Sequence, residues 1–198
     1  MRITSIETLY LGEFSNVLWV LIHTDEGITG LGETFFGSKA VEAFIHETAA
    51  LKLIGQDPLD IERHWLTLYN QFRDQGQRGA IITALSGIDV ALWDIAGQFH
   101  GQPVHRLMGG KWRDRVQAYA TGSFRRPSGN RVDYLAEETA AYVAEGFGAV
   151  KIKIGFDVDE DIAVCEAVRD AIGPDTGFMI DANHGYDAIE AIRLGNAV

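Results

Sequence analysis

Two lysines and an acid–amide pair carry the chemistry that this sequence offers. Lys151 and Lys153 sit in Ala149-Val150-Lys151-Ile152-Lys153-Ile154-Gly155, which reads as a strand. Alternation puts both lysines on one face and Val150, Ile152 and Ile154 on the other. About one β-α repeat later comes Ile180-Asp181-Ala182-Asn183, again at the end of a strand-like run. A lysine held beside a second cation gives up its proton more readily, which suits a general base. A carboxylate at an equivalent position is a hard oxygen ligand of the kind Mg²⁺ takes. Each motif alone has a bland reading. Two lysines on a strand are ordinary if their face meets water, and an Asp at a strand end is more often an Asx turn or a helix cap.

The elements around these residues shift that balance. From residue 116 the pattern alternates strand and helix. Strand-like segments are 116–122, 149–154 and 178–182; helical ones are 133–145, 159–172 and a third from about Asp187. This β-α-β-α-β-α order predicts parallel strands with helical crossovers. Parallel sheets are usually covered on both faces, so the lysine face is expected to lie away from bulk water. If the strands belong to a barrel, both lysines point inward, at the strand C-termini where such folds place their sites. His184 and Tyr186 follow Asn183 and read equally as ligand contacts or surface loop residues. Arg125 and Arg126, after the first of these strands, read equally as anion holders or surface charges. Cys165 shares an apolar stripe with Ile162, Val168 and Ile172 and reads as a core residue.

The first half is built differently. Residues 2–11, 16–24 and 28–35 read as a three-stranded antiparallel meander with a turn at Asp25-Glu26-Gly27. Helices are expected over 39–54 and 60–74, with Asp60 as N-cap of the second. The strongest helix runs from about Ala80 to Phe99. Its apolar positions Ile81, Leu85, Ile88, Leu92, Ile95 and Phe99 recur in steps of three and four and predict one buried stripe. The Gly-rich polar stretch 109–115 is the expected domain boundary.

Composition narrows the classes. A net charge of −11 argues against a general nucleic-acid binder, which needs a basic face. The single cysteine excludes an intrachain disulfide and fits a reducing compartment. The longest apolar run, Val17 to Ile22, is too short to cross a bilayer, and the N-terminus lacks the features of an export signal. The expectation is a cytoplasmic protein that binds neither nucleic acid nor membrane.

Three motifs in order carry a family resemblance. They are Ala84-Leu85-Ser86-Gly87-Ile88-Asp89-Val90-Ala91-Leu92-Trp93-Asp94-Ile95-Ala96-Gly97 with Gly101-Gln102-Pro103-Val104 and Leu107-Met108-Gly109-Gly110, then Lys-Ile-Lys-Ile-Gly, then Ile-Asp-Ala-Asn. The chain resembles the mandelate racemase/muconate lactonizing enzyme family of the enolase superfamily. That resemblance implies an α+β capping domain over 1–115. Residues 116–198 would then be the first three β/α units of a truncated (β/α)7β TIM-like barrel, which in full needs about 250 residues.

The resemblance also implies roles. Lys153 would take the proton α to a carboxylate, and Lys151 would assist and contact that carboxylate. Asp181 would be the first Mg²⁺ ligand, with Asn183 and His184 lining the site. Loops near 12–16 and 34–38, with Phe14, Phe35 and Phe36, would close over the substrate. The family's lysine or histidine base works with Mg²⁺, which stabilises the enediolate. The reaction class would be acid-sugar dehydration or racemization, with muconate-type cycloisomerization or epimerization, or a non-catalytic remnant, as alternatives. The substrate would be a hydroxy acid or acid sugar, and the parent protein a homo-oligomer. Two later acidic ligands and the opposite-face acid/base lie outside these residues, so 1–198 alone are expected to be inactive.

Overall fold

A computed structural model describes residues 1–198, which fall into two compact units, Met1–Trp112 and Arg113–Val198. The first begins with β1 (Ile3–Leu11), β2 (Phe14–Thr24) and β3 (Thr29–Phe35), in the order β1-β2-β3 and antiparallel throughout. Leu18, Val20 and Ile22 alternate onto its buried face, as the period of two requires. Next come α1 (Ser38–Phe44), a π-helical turn at Ile45–Ala49 and α2 (Ala50–Leu53). These are followed by α3 (Ile61–Phe72), α4 (Ala80–His100) and α5 (Val104–Leu107).

Helix α4 is the spine of this unit. Leu85, Ile88, Leu92 and Ile95 are buried as expected, but Ile81 is half-buried and Phe99 is exposed. The buried face is also wider than one stripe, because Ala84, Gly87, Ala91 and Ala96 join it. The reason lies in β3. A Cβ at Gly30 would drive into the Ala91 carbonyl, and one at Gly32 into the Gly87 carbonyl. Two glycines facing small helix residues bring the α4 backbone directly onto the strand. By length and composition α4 could span a bilayer, with hydropathy 1.5, yet it is packed here as a core helix. Asp60 occupies the N-cap position of α3 without making the side-chain cap; its carboxylate pairs with Arg63 at 2.6 Å instead.

The second unit contains β4 (Ala120–Thr121), α6 (Arg131–Ala144), β5 (Ala149–Lys153), α7 (Val158–Ile172), β6 (Gly177–Asp181) and α8 (Ala188–Ala197). Its sheet is parallel, in the order β4-β5-β6. β4 is far shorter than the expected 116–122, since only Ala120 and Thr121 find ladder partners, at Val150 and Lys151. Val150, Ile152 and Ile154 are buried against Leu135 of α6 and Val164, Cys165 and Val168 of α7. Helix α8 carries a full capping box, in which Asp187 takes the Glu190 N–H and Glu190 reaches back.

Candidate active site

Strand register brings the predicted residues together. Lys153 lies directly across from Asp181, and Lys151 across from Met179. Because β5 buries Val150 and Ile152 on one face, both lysines emerge on the other. Within this unit α6 and α7 pack on the apolar face. The lysine side chains are therefore not dry as expected from helix cover, but 23% and 24% exposed.

Lys153 Nζ donates to Asp181 Oδ2 at 2.7 Å and to Asn183 Oδ1 at 2.6 Å. Lys151 Nζ reaches the same Asp181 oxygen at 3.7 Å and lies 5.4 Å from the centre of the Tyr119 ring. One carboxylate oxygen is thus shared by two ammonium groups. The other, Oδ1, accepts the Asn183 N–H at 3.0 Å, so the Asx turn expected of an isolated Asp is also present. The bond from Lys153, then the Asn183 N–H, hold the Asp181 carboxyl below the usual carboxylate range. Asn183 and His184 both have left-handed backbones, at φ 44° and 68°. Both Asn and His adopt this region more often than most residues other than glycine.

His184 is exposed in this turn. Tyr186 is half-buried, and its hydroxyl donates to Asp161 Oδ2 at 2.5 Å. Arg126 pairs with Glu138 at 2.8 Å, and Arg125 stacks over Phe156 at 4.9 Å. Phe14 and Phe35 belong to the first unit and are strand ends, not loop residues. Phe14 pairs with Leu11, Phe35 with Val17, and both are exposed. Cys165 is buried, and burial followed by the nearby Asp161 charge pushes its thiol up to about 11, so it is no nucleophile.

Sequence reasoning missed a buried ionic group behind the lysines. Asp161 is fully buried and ion-paired with Arg131, itself 4% exposed. Its carboxyl is pushed up by burial, but the Tyr186 hydroxyl, the Phe156 N–H, Arg131 and the Gly155 N–H outweigh that and hold it low. The available signal was an acid on the apolar stripe of α7, three residues after Val158 and four before Cys165. Ser123, just past β4, was also missed. Its Oγ is buried without a hydrogen-bond partner, and no pattern in the sequence marks it.

Asp181 and Asn183 offer hard oxygens, which suit Mg²⁺ in kind. In number they fall short, since no three His, Cys, Asp or Glu side chains gather into a metal-binding group.

A parallel β/α sheet with paired lysines facing an acid at the strand ends, following an antiparallel meander with helices, defines an enolase-type architecture. Residues 6–109 match the mandelate racemase/muconate lactonizing enzyme N-terminal domain, and residues 134–198 match the enolase C-terminal domain-like family. The chain belongs to the mandelate racemase/muconate lactonizing enzyme family of the enolase superfamily. It is 54% identical over 177 residues to a D-galactarolactone cycloisomerase of Agrobacterium fabrum, covering 89% of this chain and 47% of that protein. It is 37% identical to an arabinonate dehydratase of Saccharolobus solfataricus, covering 88% and 47%. Among solved structures, the 3,6-anhydro-D-galactonate cycloisomerase of Zobellia galactanivorans superposes with a TM-score of 0.90 at 33% identity, over 100% of this chain and 55% of that one. The chain spans about half the length of these relatives, which are named as enzymes.

Proposed function

We propose that the protein carrying this chain abstracts the proton α to the carboxylate of an acid sugar or its lactone, with Lys153 as the base. The observation that carries this reading is the convergence of Lys153 on Asp181 and Asn183 at adjacent strand ends. An α-proton of a carboxylate is too weakly acidic for an unaided amine, so charge developing on the substrate needs a cationic partner. Lys151, on the same face and two residues earlier, is placed to meet a substrate carboxylate. Asn183 keeps the Lys153 amine oriented.

Enolase-superfamily members generally use Mg²⁺. Asp181 would contribute one ligand, with Asn183 lining the site. When bound, the cation supplies stabilisation of the negative charge that grows on the carboxylate oxygens. Asp181 Oδ2 serves both lysines, so the oxygen offered to a cation is also the partner of the base. Further acidic ligands must come from outside residues 1–198, which is why these residues alone are proposed to be inactive.

Cycloisomerization of a sugar lactone is favoured over dehydration by the 54% identity to the galactarolactone enzyme, against 37% to the arabinonate dehydratase. Both begin with the same proton. The substrate contacts proposed for His184, Phe14 and Phe35, the homo-oligomeric state and the cytoplasmic location belong to this same reading. The test is solvent-deuterium incorporation at the α-carbon, followed by NMR, with galactarolactone and with arabinonate. Exchange with either and a ring-opened or dehydrated product supports the reading; no exchange with any sugar acid or lactone at saturating Mg²⁺ contradicts it.

A further inference from the structure

The buried ionic group lies immediately behind the proposed base. Arg131, the first residue of α6, donates through Nη2 to the Lys153 carbonyl at 2.7 Å. Its Nη1 pairs with Asp161 and approaches Glu160 at 3.3 Å. Asp161 Oδ2 accepts from the N–H groups of Gly155 at 2.9 Å, Phe156 at 3.0 Å and Asp157 at 3.3 Å. These three residues form the turn that leaves β5. The same oxygen takes the Tyr186 hydroxyl, which comes from the turn leaving β6 and in return accepts the Gly155 N–H at 3.2 Å. The Phe156 ring lies under the Arg131 guanidinium at 4.7 Å.

The backbones of the two turns interlock as well. A Cβ on Gly155 would meet the Ala182 carbonyl at 2.5 Å, and a Cβ on Gly185 would strike the Gly155 carbonyl. One carboxylate therefore ties together the start of α6, the exit of β5 and the exit of β6. None of the three side chains touches the Lys153 amine or the Asp181 carboxylate.

We infer that Arg131, Asp161 and Tyr186 are positioning residues: a clamp that fixes the spacing between Lys153 and Asp181 by welding the two strand exits. A buried ion pair is weak grounds for a stability role, since an apolar replacement of similar volume often does as well. The location supplies the stronger reason. Proton transfer needs the base placed within fractions of an ångström, and a misplacement of about 1 Å costs about a hundredfold. A guanidinium bonded to the carbonyl of the base's own residue holds that placement from behind. The clamp rests on Lys153 being the base, so its test carries a readout that does not.

The experiment uses Tyr186→Phe, which removes one hydroxyl, and Arg131→Lys, which keeps the charge. A single ammonium lacks the fork that spans Asp161 and the Lys153 carbonyl together. Both variants are measured in the protein that carries this chain, by α-proton exchange and by the acetylation rate of Lys153 relative to exposed Lys52. The expected result for Tyr186→Phe is a kcat for exchange lower by about tenfold with KM nearly unchanged, and Lys153 acetylated several-fold faster. Arg131→Lys, despite its retained charge, is expected to show the same two changes. A folded Tyr186→Phe protein with both kcat and the Lys153/Lys52 ratio within about twofold of wild type overturns the clamp. If Lys153→Ala leaves exchange intact, the base assignment fails, and the acetylation ratio alone then decides the clamp.

Discussion

Two three-stranded sheets, one long and antiparallel, one short and parallel, solve different problems in this chain. The antiparallel sheet of the first unit buries a face of Ile, Leu and Val against α4, and the contact of its His23 with Glu7 lies toward the surface. The parallel sheet of the second unit buries Ala120 of β4 and Val150 and Ile152 of β5, whereas Met179 and Ile180 of β6 remain exposed. The helices beside that sheet hold a fully buried carboxylate, Asp161 of α7, and a nearly buried guanidinium, Arg131 of α6. The comparison teaches where polarity goes when strands must present chemistry. The first unit is organised by apolar packing and two glycines, the second by charges gathered at one end of its strands.

The largest stability difference between the units should come from removing one partner of the buried pair. Arg131→Met leaves Asp161 buried without its guanidinium, and losses on breaking such pairs run to about 3–5 kcal/mol. Hydrogen exchange resolved by segment should show α6, β5 and α7 opening at lower denaturant while β1–β3 and α4 keep their protection. Equal loss in both units would break the comparison.

Acid sharpens it further. Asp161 has a lowered folded value: burial opposes this, but its hydrogen bonds prevail. It stabilises the fold above its unfolded value of about 3.9, and that stability is lost as pH falls through the folded value. Asp181 and Glu138 of the same unit are shifted the same way. In the first unit Asp89 is shifted up by burial, so its charged form is the one the fold disfavours, and it gains stability on protonation. Lowering the pH toward about 3 should therefore weaken the second unit first, and Asp161→Asn should flatten that dependence. A first unit that melts earlier in acid would contradict it.

The smallest effect is expected at Asp60. Because its side chain makes no cap and pairs only with exposed Arg63, Asp60→Ala should cost less than about 0.5 kcal/mol by urea denaturation, below the usual loss for a capping residue.

Much of this was legible from spacing. The alternation in 149–154 fixed which face the lysines take, and the steps of α4 marked its buried side. The convergence of Lys153 and Asp181 followed from β-α-β order, because equivalent positions on neighbouring parallel strands meet. Less was legible where long-range packing decides. The short β4 depends on having one ladder partner, and Gly30 and Gly32 show their purpose only beside Ala91 and Gly87. The role of Asp161 needs three separate turns to meet at one oxygen. Tyr186 stayed ambiguous because a single tyrosine after a strand carries no period.

The most direct measurement is the α-proton exchange rate of Lys153→Ala in the full protein, against a sugar lactone at saturating Mg²⁺. The account expects exchange to fall by about 10²–10⁴, the span of a positioned general base, with Mg²⁺ affinity by calorimetry unchanged. Exchange at the wild-type rate from a folded Lys153→Ala protein would contradict it.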